Sequence, residues 1–124
     1  MKFSLESRSD INIITSHDSD HIIIRVRNNP ELLRLEFPLI LSPQTVIQEQ
    51  LLAKPFTMDD IEYIKNLEAE VLIISQSKGV ISPSERELFF SQLLSNETMS
   101  LGAACRTYNL LANEDRRVIL IVRR

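Results

Sequence analysis

Two histidines, one cysteine and a polar cluster after an apolar run are the residues whose types and spacing suit chemistry. His17-Asp18-Ser19-Asp20-His21 combines imidazole with carboxylate, good ligands for zinc or nickel. Two histidines four apart share a face only on a helix, and here the neighbours read as a turn running into a strand. On an extended segment the rings stand roughly 13 Å apart, so the segment is read as a turn and no metal site is assigned. Cys105 falls near the start of a helical pattern beside Arg106, a setting that lowers a thiol pKa. It also falls on that helix's apolar stripe, with no histidine near it in sequence, so it is expected to pack in the core rather than act as a nucleophile.

Ser75-Gln76-Ser77-Lys78 follows the apolar run Val71-Leu72-Ile73-Ile74. If that run is a parallel strand, the cluster lies at its carboxyl end, where open α/β sheets bind ligands. Two hydroxyls, an amide and an ammonium there suit a small anion, with Arg106 and Asn109 as further candidates from the following helix. The plainer reading is a polar connection. No general base is visible beside these hydroxyls, and a hydroxyl without a base is a poor nucleophile. The expectation is therefore a protein that is not an enzyme and needs no cofactor. Tyr108 falls on the apolar stripe, its ring expected in the core and its hydroxyl on a partner. Asn109 is a poor helix-interior residue, which suggests a specific hydrogen bond back to the strand ends.

The elements that must position these residues are legible in outline. Ile11, Ile13 and Ile14 suggest a short strand, His21 to Arg27 a second, and the alternation of Leu33, Leu35 and Phe37 with Arg34 and Glu36 a third with one wet face. Pro38 and Pro43 bracket Leu39-Ile40-Leu41, which is read as an edge strand. The segment from Thr45 to Ala53 fits either a strand or a short helix. Thr57-Met58-Asp59-Asp60 starts a helix whose stripe is Ile61, Ile64 and Leu67. Val71 to Ile74 has the continuous apolar run of a central strand. Ser82-Pro83-Ser84-Glu85 is a capping box opening a second helix, which Ser95-Asn96-Glu97 ends. Ser100 caps a third helix running to about Glu114, with the stripe Leu101, Ala104, Cys105, Tyr108, Leu111 and Ala112. Val118 to Val122 is a last buried strand, and the arginines flanking it (Arg116, Arg117, Arg123, Arg124) are read as solubilising its ends. The order predicts an α/β fold: a central mixed sheet flanked by helices, parallel in its second half, with an antiparallel flap from the N-terminal half.

Composition narrows the class. The 124 residues form a single domain, with residues 1–10 as a loose arm, and are 44% hydrophobic and 25% charged. Two glycines leave little material for a phosphate-cradling glycine loop, and one cysteine excludes an internal disulfide. A net charge of −3 gives no long-range attraction to nucleic acid. No apolar stretch approaches the roughly 18 residues of a membrane span, and the N-terminus lacks the apolar core of a signal peptide. These features predict a cytoplasmic protein with no integral membrane segment and no nucleic-acid partner.

The run Ala103-Ala104-Cys105-Arg106-Thr107-Tyr108-Asn109-Leu110-Leu111, followed by Glu114-Asp115-Arg116-Arg117-Val118, resembles the C-terminal signature of a domain-of-unknown-function family. That family of small bacterial and mitochondrial proteins includes the respiratory complex I assembly factor three. Val71 to Ile74 resembles the family's strand before a glycine loop, and Ser82-Pro83 its following proline. The usual Gly-Thr-Gly is replaced by Ser75-Gln76-Ser77, and the usual glycine after Glu114 by Asp115, which can still take a left-handed conformation. The resemblance implies a three-layer α/β fold with the last strand antiparallel to most others. It implies no established activity. It suggests a bacterial accessory or assembly protein that binds unidentified protein partners and is itself a monomer or weak homodimer. The alternative is a small-molecule or anion-binding domain, or an atypical enzyme, with its site at the loop after the central strand.

Overall fold

The structure is a computed structural model and describes residues 9–48, 58–76, 82–92 and 96–123, with the side chains of 89, 90 and 92 left aside. Five strands come first: β1 (Ile13–His17), β2 (His21–Arg25), β3 (Leu32–Glu36), β4 (Leu39–Leu41) and β5 (Val46–Ile47). Then follow α1 (Met58–Lys65), β6 (Val71–Gln76), α2 (Pro83–Gln92), β7 (Asn96–Thr98), α3 (Leu101–Asn113) and β8 (Val118–Arg123). Strands β1, β2 and β3 make an antiparallel sheet in that order. The other five make a mixed sheet, ordered β5-β4-β8-β6-β7. The fold is α/β, with the antiparallel flap and the parallel second half that the sequence predicts.

Alternation along the two central strands divides the core. Ile73 of β6 and Val118, Leu120 and Val122 of β8 face α3 and the three-stranded sheet. Leu72 and Ile74 of β6 and Ile119 and Ile121 of β8 face Ile61 and Ile64 of α1, with Leu88 of α2 packed on the same cluster. Burying these β-branched side chains at about 25 cal/mol per Å² is the main source of stability. The helix stripe is as predicted: Ala104, Cys105, Tyr108 and Ala112 are buried, with Leu101 and Leu111 against them.

Four expectations need correction. Leu39–Leu41 is not an edge: β4 lies between β5 and β8, fully buried, because both prolines fall outside the ladder and leave its amides free to donate. Strand β7 was hidden, since Asn96-Glu97-Thr98 carries no apolar pattern; it pairs parallel to β6 at the sheet's edge. The last strand is antiparallel to β4 only, and runs parallel to β6, which pairs parallel to β7. Arg123 does not solubilise an end but is buried. Val46–Ile47 is the strand that the sequence left open. The left-handed conformation expected of Asp115 is present, with φ 61°. Among the described residues, no helix is long and apolar enough to cross a membrane.

Candidate functional site

Strands β6, β7 and β8 run parallel and end together. From that end β6 continues toward α2 on one face of the sheet, and β7 toward α3 on the other. Adjacent strands whose connections leave to opposite faces make a switch point, the usual place for a ligand in open α/β sheets. Ser75 and Gln76 lie there. Being consecutive on a strand, they face opposite ways.

The α2 face holds a buried ion pair. The β6–β8 register sets Gln76 opposite Arg123. Arg123 donates from Nη1 to Glu85 Oε2 and from Nη2 to Glu85 Oε1 at 2.8 Å, and Nη2 also donates to Gln76 Oε1 at 2.7 Å. Glu85 stands in the first turn of α2, where the helix dipole favours a carboxylate. The predicted capping box is half made. The Glu85 amide donates to Ser82 Oγ at 3.3 Å, while the Ser82 hydroxyl donates to the Glu85 carboxylate at 3.3 Å.

The α3 face is different. The Met99 amide donates to the Ile74 carbonyl at 3.0 Å, which brings the start of α3 level with Ser75. Ser75 is fully buried, and its Oγ makes no hydrogen bond. Ser100 takes the N-cap backbone conformation (φ −63°, ψ 158°), but its side chain bonds to none of the free amides of the first turn. Gly102 follows. A Cβ there would lie 3.5 Å from Arg106 Nη1 and 3.7 Å from His17 Nε2, so both side chains converge on the first turn of α3. Arg106 reaches it because helical side chains lean toward the N-terminus.

His17 arrives by a different device. Ile14 pairs with Ile24, but Ser16 pairs with Ile23 and His17 with Ile22, so Thr15 is an extra residue in β1. Bulges re-aim side chains. This one puts His17 on the same face as Ile14, where plain alternation would separate them.

Farther along α3, polar groups serve the scaffold. The Ile14 amide donates to Asn109 Oδ1 at 2.9 Å, and Asn109 Nδ2 donates to the Ile14 carbonyl at 2.8 Å. The side chain thus stands in for the next strand at the β1 edge. Tyr108 donates to the Asn12 carbonyl at 2.9 Å. Asn12, 2% exposed, donates from Nδ2 to Ser42 and accepts from the Arg27 amide. Sequence reasoning missed Asn12, Gly102 and the inward turn of His17. A polar residue between Ile11 and Ile13 was the one available signal.

Burial pushes the Cys105 thiol up to about 11, against a smaller opposing pull from Arg106. Burial also pushes the Tyr108 hydroxyl well up. In the β1–β2 turn, Asp18, Asp20 and His21 place ligand-type atoms within 4.8 Å of one another. The His21 ring bonds Asp20 at 2.6 Å and holds that carboxyl below its ordinary range. Of the candidate site residues, Ser75 and Arg106 lie on the α3 side. Gln76 belongs to the opposite face, Asn109 is engaged by Ile14, and Ser77 and Lys78 lie outside the described residues.

An antiparallel flap and a mixed sheet sharing one central helix define the class of fold. The sequence profile described as "Protein of unknown function (DUF498/DUF598)" matches residues 14–122, and the chain belongs to that family. No curated protein matches the sequence. Solved structures share the fold. An NMR structure of a Xanthomonas campestris protein is 22% identical with TM-score 0.66, covering 90% of this chain and 83% of that one. The crystal structure of an outer membrane protein from Bartonella henselae is 19% identical with TM-score 0.63, covering 92% and 95%. A crystal structure from Bordetella parapertussis is 21% identical with TM-score 0.59, covering 90% and 94%.

Proposed function

We propose that this protein is a non-enzymatic accessory protein that acts through protein–protein contacts in the cytoplasm, with assembly of a respiratory complex as the form suggested by the family resemblance. The observation that carries this reading is the unequal treatment of the flap's two edges. At β1, Asn109 engages the backbone of Ile14. At β3 the sheet ends; Gln48 Nε2 donates to the carbonyl of its last residue, Glu36, at 2.8 Å, while at its start Leu32 and Leu33 are 62% and 44% exposed. An open edge with exposed leucines suits an extended segment of a partner, which adds a strand through main-chain hydrogen bonds and seats alternate side chains. The test is affinity capture from native lysate with the wild-type chain and a Leu32→Lys/Leu33→Lys variant. A partner held by the first and lost by the second supports the reading. Recovery of nothing, or of the same proteins by both, overturns it.

A further inference from the structure

We propose that the first turn of α3, together with Ser75, His17 and Arg106, is a binding site for a phosphate group, either free or as a phosphate monoester. Three independent features meet there. The amides of Leu101, Gly102 and Ala103 precede the first helical bond, from the Ala104 amide to the Ser100 carbonyl at 2.8 Å, and the Ser100 side chain caps none of them. Such amides, with the positive end of the helix dipole, attract anions. Arg106 and His17 both converge on Gly102, and neither makes an ion pair among the described residues. The third feature is the buried hydroxyl. Ser75 follows Ile74 and shares the face of Ile73, which packs in the cluster with Ala104 and Cys105 of α3. Its side chain therefore lies beneath the start of that helix, fully buried and without a hydrogen bond. A buried hydroxyl left unpaired is unfavourable, and an acceptor oxygen would relieve it.

The set also indicates which anion. Guanidinium, imidazole, hydroxyl and several amides offer more donors than the two oxygens of a carboxylate can use. A tetrahedral oxyanion has enough oxygens to meet them, and a guanidinium fork suits phosphate. The bulge at Thr15 has a purpose in this arrangement, since without it His17 would turn away. Gly102 leaves the approach to the amides uncrowded. The site lies on the opposite side of the molecule's central sheet from the Arg123–Glu85 pair and does not depend on the β3 edge, so it stands or falls apart from the protein-contact reading.

The experiment titrates inorganic phosphate into the wild-type chain and into Arg106→Gln and His17→Ala variants, following backbone amide resonances and the melting temperature. Both substitutions are at exposed positions, so folding is preserved, and the unliganded melting temperature checks this. The expected result is a saturable shift centred on Gly102 and Ala103, weakened at least tenfold by Arg106→Gln and severalfold by His17→Ala. Phenyl phosphate, a simple monoester, then separates the two sources: tighter binding points to an esterified ligand, equal or weaker binding to free phosphate. Absence of a saturable shift at millimolar phosphate, a shift centred elsewhere, or equal affinity in the Arg106→Gln variant overturns the proposal.

Discussion

Ser75 and Gln76 are neighbours in one strand, yet the two faces they address treat polar groups in opposite ways. On the α2 side, Gln76, Arg123, Glu85 and Ser82 bond to one another in a buried network. On the α3 side, a buried hydroxyl, an uncapped helix start and two basic side chains share a neighbourhood without bonding. The difference teaches where the molecule is scaffold and where it is available. Buried charges survive only when paired, so the first face holds the strand ends to α2. Donors left without acceptors are the ones able to gain from an incoming ligand.

The comparison breaks most visibly at Arg123. Arg123→Ala leaves the Glu85 carboxylate buried without its partner and should destabilise by about 3–5 kcal/mol, read by urea denaturation. A loss below about 1 kcal/mol would mean that the network does not hold the sheet to the helix. The second effect concerns Cys105, on the α3 side but under the helix. Its thiol, raised from 9.0 to about 11, is neutral in both folded and unfolded chains below pH 9. Above that the unfolded chain ionises first, so stability is intact at neutral pH and falls as pH rises through about 11. At pH 8 the folded chain should carry roughly a hundredfold less thiolate than a free thiol. A thiol reagent should therefore label Cys105 only after unfolding; rapid labelling of the native protein would place the sulfur in reach of solvent. Ser75→Ala should have the smallest effect, within about 1 kcal/mol of neutral and of either sign, because no hydrogen bond is lost. A large loss of stability in that variant would show the hydroxyl already bonded and dissolve the contrast.

Much of this was legible in the sequence. The helix stripe ending in Ala112, the paired central strands and the capping serine before Pro83 follow from period and from end signals. Asparagine is unfavourable within a helix, so Asn109 signals a specific bond, and Ile14 supplies it. What escaped has a common cause. The role of Arg123, the central place of β4 and the pairing of β7 are set by partners distant in sequence, and local pattern carries no trace of them. The sequence presents Ser75 to Lys78 as one loop, joined in the candidate site by Arg106 and Asn109. Strand alternation divides it, sending Ser75 and Gln76 to different faces. His17 reads from the sequence as part of a turn, with no metal site, since nothing in the residues announces a bulge at Thr15.

That single additional residue has a wider consequence. It works as a frameshift in side-chain direction: everything on β1 beyond it is presented with inverted parity. Straightening β1, with Thr15 taken into regular alternation, would leave every residue type unchanged and yet exchange His17 for Ser16 on the face of Ile14. The chemistry shown to the helix is thus encoded by a count as much as by identities. Two homologous chains with the same residues here, one bulged at this point and the other regular, would offer the helix an imidazole in one case and none in the other.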